Sequence, residues 1–485
     1  MVTQSALLAN VPTGLFVAGR WRPASDEATF PVQDPATGRI LHRVASATPT
    51  DGLDALTAAA DAQPAWAATA PRERAELLRR AFEAITARAG DFALLMTLEM
   101  GKPLAEAHGE VSYGAEYFRW FSEEAVRVHG RYAQAPDGAT RLLTMKQPVG
   151  PTMMITPWNF PLAMGTRKIG PAIAAGCTMV VKPAPQAPLS MLLLAKVLQE
   201  CGIPDGVLNV VTTDDAAAVT EPILGDPRLR KLTFTGSTEV GRQLVAQSAT
   251  GLLRVSMELG GNAPFLVFDD AQLDRAVDGA VLAKMRNIGE ACTAANRFLV
   301  HDSVADEFAA RLVDRMAGLR VGKGTVPGVQ VGPLVDQAAR DGVDALVQDA
   351  VAGGARVLSG GSPLPGRGWF YPPTVLVDVP ASARIGAEEI FGPVAPISTF
   401  DTDDDAIRLA NDTSYGLVAY AFTTNLSRAI RVAEELDFGM IGINQGIVSN
   451  PAAPFGGVKN SGLGREGGFE GIDEYLEVKY VGIAP

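Results

Sequence analysis

Short apolar runs recur along the middle of the chain, at Thr152–Thr156, Thr178–Val181, Leu208–Thr212, Leu232–Thr235 and Leu253–Met257. Helix-like stretches separate them, at Leu162–Ala175, Ser190–Cys201, Asp215–Leu224 and Ser237–Ala249. Strands roughly 20–30 residues apart with helices between them predict βαβ units and a parallel sheet. Such sheets bind ligands beyond the carboxyl ends of their strands, and that is where Asn159, Lys182, Gly236 and Glu258 fall. A second α/β pattern runs over 260–439, with helices expected at Val304–Ala317 and Ala338–Ala352 and a long Gly/Pro-rich loop at Gly353–Pro373. Residues 127–147 read as a hairpin turning at Pro136-Asp137-Gly138. The tail Asp473–Val481 alternates apolar and polar residues as a half-buried strand does, and its place at the chain end suits pairing with another subunit.

At 485 residues the chain is too long for one simple core, so two or three domains are expected. Hydrophobic residues at 47% and charged residues at 20% suit a soluble enzyme. The net charge of −12 leaves no basic surface for nucleic acid or an anionic membrane. The amino-terminal stretch lacks the basic start and unbroken apolar core of a signal peptide. The most apolar stretch, Ser190–Leu198, is broken by Lys196 and falls short of the roughly 20 residues a membrane span requires. The cysteines are Cys177, Cys201 and Cys292, an odd and sparse set that argues against a disulfide framework and for a reducing cytoplasm. His42, His108, His129 and His301 share no metal-ligand spacing with them, so no metal site is expected.

Four local patterns carry candidate chemistry, each with an ordinary alternative. Cys292 follows Gly289-Glu290-Ala291 in a short polar turn, where a backbone N–H can face a ligand; most cysteines are small buried hydrophobes, the reading that suits Cys177 and Cys201. Glu258 ends an apolar strand before Leu259-Gly260-Gly261, where desolvation can raise a carboxyl toward a useful base, or where it is simply a solvated loop residue. Asn159, mounted between Pro157 and Pro161, offers a side-chain amide fit for an oxyanion, although a lone Asn more often just forms a turn. Gly236-Ser237 sits at a strand-to-helix junction able to accept phosphate, yet it is not the GxGxxG fingerprint.

Taken together, Trp158-Asn159-Phe160-Pro161, Lys182-Pro183, Phe234-Thr235-Gly236-Ser237, Glu258-Leu259-Gly260-Gly261, the Cys292 segment, Glu389-Ile390-Phe391-Gly392-Pro393 and Pro454-Phe455-Gly456-Gly457 resemble, in order and over nearly the whole chain, the aldehyde dehydrogenase superfamily. The resemblance implies an α/β fold with a parallel-sheet cofactor domain (1–126 and 148–259), an α/β catalytic domain (260–439), a small β oligomerisation arm (127–147 and 468–485) and a return segment (440–467). It implies a nucleophile at Cys292, a base at Glu258 and an oxyanion donor at Asn159. It also implies an NAD or NADP site built from Thr156, Trp158, Lys182, Pro185, Gly236, Ser237, Leu259, Glu389 and Phe391. A free cysteine has a pKa of about 8.5, so attack requires a site that favours the thiolate. A small aldehyde substrate and a homodimer or homotetramer are expected.

Within the superfamily, Gly165-Thr166-Arg167-Lys168, Lys284-Met285-Arg286-Asn287 and the run Ser461–Gly467 leading to Gly471–Tyr475 look most like succinate-semialdehyde dehydrogenases. In that group two arginines and a serine grip the substrate carboxylate; here they match Arg167, Arg286 and Ser449. Taken singly, each arginine also reads as a solvated or salt-bridged surface residue. Two departures matter. Pro185 stands where many relatives have Glu or Ser, which leaves NAD versus NADP open, and Ala294 stands where some carry a second cysteine, which removes a local disulfide switch. The competing readings are a dehydrogenase for glutarate semialdehyde or a neutral aldehyde, a cofactor-independent thiol hydrolase, and a non-catalytic protein on the same scaffold.

Overall fold

The computed structural model describes residues 3–484; the expectations at residues 1, 2 and 485 lie outside them. The long helix α1 (Leu104–Glu124) leads into a hairpin of β1 (Arg131–Gln134) and β2 (Arg141–Pro148). The alternating segment follows as β3 (Thr152–Ile155), α2 (Ala163–Ala175), β4 (Met179–Lys182), α3 (Leu189–Glu200), β5 (Leu208–Val210), α4 (Ala216–Leu224), β6 (Lys231–Thr235), α5 (Thr238–Ser248) and β7 (Arg254–Glu258). These are the strands and helices that the apolar runs predict, shifted by a residue or two at their ends.

Strands β3, β4, β5 and β6 are buried at every residue. Helices cover both faces of the sheet, so its strands read as continuous apolar runs rather than alternating ones. Every residue of α2 is buried as well, and the helix stops at Gly176, whose φ of +90° is left-handed backbone that glycine adopts without strain. The sheet has eight strands in the order Gly462–Leu463, β7, β6, β3, β4, β5, Leu15–Val17, Arg20–Arg22. Its five central strands run parallel. Register sets Thr235 opposite Glu258 and Ile155 opposite Lys182. The carboxyl ends therefore finish level, and Thr156, Lys182, Gly236 and Glu258 line one sheet edge.

Only Leu259–Asn262 separates β7 from β8 (Ala263–Val267), the first strand of a second sheet. That sheet continues through α6 (Leu273–Met285), β9 (Ala295–His301), α7 (Asp302–Ala317), α8 (Gln337–Ala352), β10 (Arg356–Ser359), β11 (Thr374–Val377), β12 (Val394–Phe400), β13 (Val418–Phe422) and β14 (Met440–Ile443). Its seven strands stand in the order β10-β11-β12-β9-β8-β13-β14.

Three expectations need correction. The stretch Gly353–Pro373 is not all loop: Arg356–Ser359 pairs antiparallel with β11, its apolar residues half exposed at the sheet edge and so giving no burial signal. The second unit does not end at 439, because Met440–Ile443 is still a strand of its sheet. The tail divides into a short helix, Glu470–Asp473, and a strand β15 (Leu476–Ile483). That strand pairs along its length with β2 of its own chain, and only Leu476 is buried. Gly462–Leu463 within the return segment pairs with β7, which carries the chain back to the first sheet beside Glu258.

Candidate active site

Where the two sheets meet, a cavity of about 290 Å³ opens. Cys292, Glu258, Asn159, Arg167, Arg286, Ser449, Trp158, Gly236, Ser237, Leu259, Glu389 and Phe391 all line it. Thr156, Lys182 and Pro185 do not; they lie at the neighbouring strand ends, with Lys182 buried and Pro185 half-buried.

Several loops build the wall. Cys292 follows a tight turn after α6 in which Asn287 (φ 54°) and Ile288 (φ 63°) are left-handed. Side chains rarely adopt that backbone, and it persists only where the surroundings hold it. Here Asn287 Nδ2 donates to the Glu290 carbonyl at 2.8 Å, and Asn287 N–H donates to the Glu106 carboxylate of α1. The turn also presses against the sheet junction: a Cβ on Gly261 would stand 2.2 Å from the Cys292 carbonyl oxygen, so only glycine lets the two approach.

Asn159 sits between β3 and α2. Its Nδ2 donates to the Glu290 carbonyl at 3.0 Å and its Oδ1 accepts from Phe160 N–H at 3.1 Å. One amide hydrogen is thus tied to the cysteine loop itself, and the other is left for a ligand.

Charge is distributed unevenly. Arg167 and Lys168, neighbours on α2, both pair with Glu466, and all three are buried. Arg167 also lies 4.1 Å from the Phe455 ring centroid. By contrast Arg286 forms no ion pair among the described residues. Its Nη1 stands 3.5 Å from Ser449 Oγ, and its guanidinium lies 4.9 Å from the Phe160 ring centroid and 5.9 Å from that of Tyr113. Cation–π contact holds such a group without consuming its hydrogen-bond donors.

Burial raises Glu258 well above the usual carboxyl range, and the Glu466 charge adds to the rise against the opposing Arg167 and Lys168. Glu466 keeps its charge: burial disfavours it, but Arg167 and Lys168 hold it below the usual range. The Cys292 thiol, reachable from the cavity yet surrounded by protein, is pushed up to about 12 by burial, with Arg167 pulling the other way. The surroundings of Cys292 thus do not themselves favour the thiolate, because burial, with Glu389 and Glu258, penalises the charged sulfur more than Arg167 and Arg286 favour it.

The sheet edge fits a dinucleotide. Thr156 Oγ1, Thr235 Oγ1 and one Glu258 carboxylate oxygen are buried without a hydrogen-bond partner. Lys182 is buried against the Pro183 carbonyl at 3.2 Å, and desolvation lowers it to about 8. Ser237 caps α5 at that edge, and a Cβ on Gly236 would meet the Phe234 ring at 2.3 Å. Unpaired hydroxyls, an under-partnered ammonium and a helix N-terminus together suit ribose hydroxyls and phosphate. Glu389, pushed up to about 7 by burial, accepts from Gly261 N–H at 2.9 Å. Phe391 stands edge-on to Trp158 with ring centroids 5.4 Å apart.

Sequence reasoning missed Tyr113 in the wall and the pairing of Glu466 with Arg167. Glu466 lies within a run that carried the subfamily resemblance, but nothing local marks its carboxylate as buried.

The sequence profile of the aldehyde dehydrogenase family matches residues 21–481. The chain is 60% identical over 445 residues to a succinate-semialdehyde dehydrogenase of Paenarthrobacter nicotinovorans, covering 92% of this chain and 99% of that one. It is 50% identical to a glutarate-semialdehyde dehydrogenase of Pseudomonas aeruginosa, covering 96% of each. A crystal structure described as an Escherichia coli NADP-dependent enzyme superposes with a TM-score of 0.98 at 49% identity over 100% of both chains.

Two outcomes follow from the charge balance. Alkylation of Cys292 by iodoacetamide in the ligand-free protein should climb with pH through at least pH 10, about tenfold per unit; a plateau near pH 7 would mean the thiol is already activated. Glu466→Gln removes the like charge facing Glu258, so the carboxyl ionises more readily. Any rising limb of kcat against pH that reports Glu258 should move to lower pH, and a limb that stays fixed rules out this coupling.

Proposed function

The chain belongs to the aldehyde dehydrogenase family, and on that premise we propose that it oxidises succinate semialdehyde to succinate through a thioester on Cys292. The observation that carries the reading is the convergence of Cys292, Asn159 and Glu258 with an unpaired arginine, Arg286, in one cavity.

In this reading Cys292 Sγ attacks the aldehyde carbon. The sulfur attacks as the thiolate, its proton passing to solvent water in the cavity; burial opposes that ionisation, so this step also gains from rising pH. The developing oxyanion accepts from the free Asn159 amide hydrogen and from the Cys292 main-chain N–H; a single such donor is typically worth about 3–4 kcal/mol of barrier. Lys182, Gly236, Ser237 and Glu389 would hold NAD or NADP, which when bound would supply the hydride acceptor for the oxidation. The thioester left on Cys292 is then hydrolysed by a water whose proton passes to Glu258. That role requires Glu258 to be ionised, so hydrolysis gains from rising pH.

The substrate carboxylate is met by Arg286 and Ser449. Arg167 already pairs with Glu466, which it shares with Lys168, so it contributes to the net positive charge of that wall rather than acting as the principal clamp. Aldehyde, dinucleotide and carboxylate sites lie where the two sheets face each other. This supports the division into a cofactor unit around the first sheet and a catalytic unit around the second. We further assign the β1–β2–β15 sheet as the arm of a homodimer or homotetramer: β1 and β15 both leave an outer edge unpaired among the described residues. No helix among the described residues is long and apolar enough to cross a membrane, and we assign the protein to the cytoplasm.

Cys292→Ala should abolish oxidation, and Glu258→Gln should release one equivalent of reduced dinucleotide per site in a stopped-flow trace and then stall. Normal turnover by the Gln variant would refute the base assignment. Arg286→Ala should lower kcat/KM for succinate semialdehyde by about 10- to 100-fold, the worth of an arginine–carboxylate hydrogen bond, while butanal is little affected. Equal losses for both substrates would remove the carboxylate clamp. Running the wild type on succinate and glutarate semialdehydes with NAD and with NADP fixes chain length and cofactor preference.

A further inference from the structure

Behind Asn159 lies a cluster of charge with no part in the chemistry above. Lys102, two residues before α1, is fully buried and pairs with Glu110, one of the helix's buried residues. Its Nζ also donates to the Asn159 main-chain oxygen at 2.8 Å and lies 4.1 Å from the Phe160 ring centroid. The other Glu110 oxygen accepts from Leu162 N–H at 3.0 Å and Ala163 N–H at 3.1 Å, which closes the start of α2 directly after the Asn159 loop. The same Asn159 oxygen takes a second hydrogen bond, from Asn287 Nδ2 at 3.0 Å. Asn287 is itself held by Glu106, one turn before Glu110 on the same helix.

Burying an ammonium and a carboxylate is a poor way to gain stability, since an apolar pair of similar volume does as well or better. What the pair adds is direction. A lysine and two carboxylates from one helix region grip both sides of the active-site cleft: Lys102 and Glu110 hold the Asn159 loop, and Glu106 holds the Cys292 loop through Asn287. Oxyanion stabilisation depends on donors aimed before the charge develops, and a misplacement of about 1 Å can cost roughly a hundredfold in rate.

We propose that Lys102, backed by Glu110, is a positioning residue that aims the Asn159 amide at the developing oxyanion by anchoring the Asn159 carbonyl. The proposal rests on the reading of Asn159 as the oxyanion donor. It touches neither the sulfur nor the dinucleotide, so its signature is confined to the chemical step.

The test is a cycle of four proteins: wild type, Asn159→Ala, the double variant Lys102→Met with Glu110→Gln, and all three changes together. Removing both charges at once avoids leaving either one buried and unpaired. The double variant should lose at least about tenfold in kcat with succinate semialdehyde. Its KM for the dinucleotide and its rate of Cys292 alkylation by iodoacetamide should stay within about twofold of wild type. Added to Asn159→Ala, it should cost almost nothing further, because an amide that is absent cannot be misaimed. A loss that simply multiplies with that of Asn159→Ala, or an unchanged kcat in the double variant, overturns the proposal. If Asn159→Ala alone is harmless, the oxyanion reading itself falls, an outcome distinct from either of those. Should the double variant not fold, Asn287→Ala removes the second donor on the same oxygen without stranding a charge, and the same cycle with Asn159→Ala decides the question.

Discussion

One carboxylate shared between two adjacent cations in the dry interior sets the terms for the site. Glu466 takes both Arg167 and Lys168, so one of the two positive charges on α2 is offset before any ligand arrives. Burial is the main reason Glu258 resists ionising, and the Glu466 charge adds to it against Arg167, Lys168 and Arg465. Glu466 also commits Arg167, so the cavity's unpaired cation is Arg286 on the opposite unit. Where this one glutamate finds its partners thus bears on both the Glu258 carboxyl and the freedom of Arg286. Taking Glu466 away would leave two buried cations unpaired, a costly arrangement.

The second constraint is closeness. The two sheets are joined by Leu259–Asn262, and the cysteine loop approaches that junction so tightly that Gly261 can carry no side chain. The Glu290 carbonyl then receives both Asn159 Nδ2 and Asn287 Nδ2, so a single oxygen of the cysteine loop is tied to the Asn159 loop and to its own left-handed turn. The sulfur and the amide are placed by a shared atom rather than by two independent loops. Such coupling keeps reacting groups within the few tenths of an ångström that catalysis tolerates.

On the cofactor side the logic is reversed. Thr156, Thr235 and Lys182 are buried with hydrogen-bonding capacity unspent. Interiors seldom leave such groups unpaired. Their presence at level strand ends beside the N-terminus of α5 is what a ligand rich in hydroxyl and phosphate oxygens would repair. Pro185 adds neither an acceptor nor a charge at this edge, so it offers nothing that would choose between NAD and NADP.

Local patterns are strong where the physics is local. The buried strands β3 to β6 announce themselves as apolar runs because both faces are covered by helices, and Gly236-Ser237, Glu258 and Cys292 were legible because each sits at the end of an element or in a turn whose residue types are unusual. The half-exposed strand Arg356–Ser359 was not legible, since without burial there is no periodicity to read. The pairing of the tail with β2 was not legible either, because an edge strand looks the same whichever partner it finds. What only the tertiary structure decided is the electrostatics. Family resemblance singles out Arg167 and Arg286, but nothing local in the sequence separates them, or Lys102, Glu106, Glu110 and Glu466, from surface charges. A charge acquires its meaning from the dielectric around it and the counter-charge a few ångströms away, and both are set by how the chain folds, as when Arg167 meets Glu466 from near the far end of the chain.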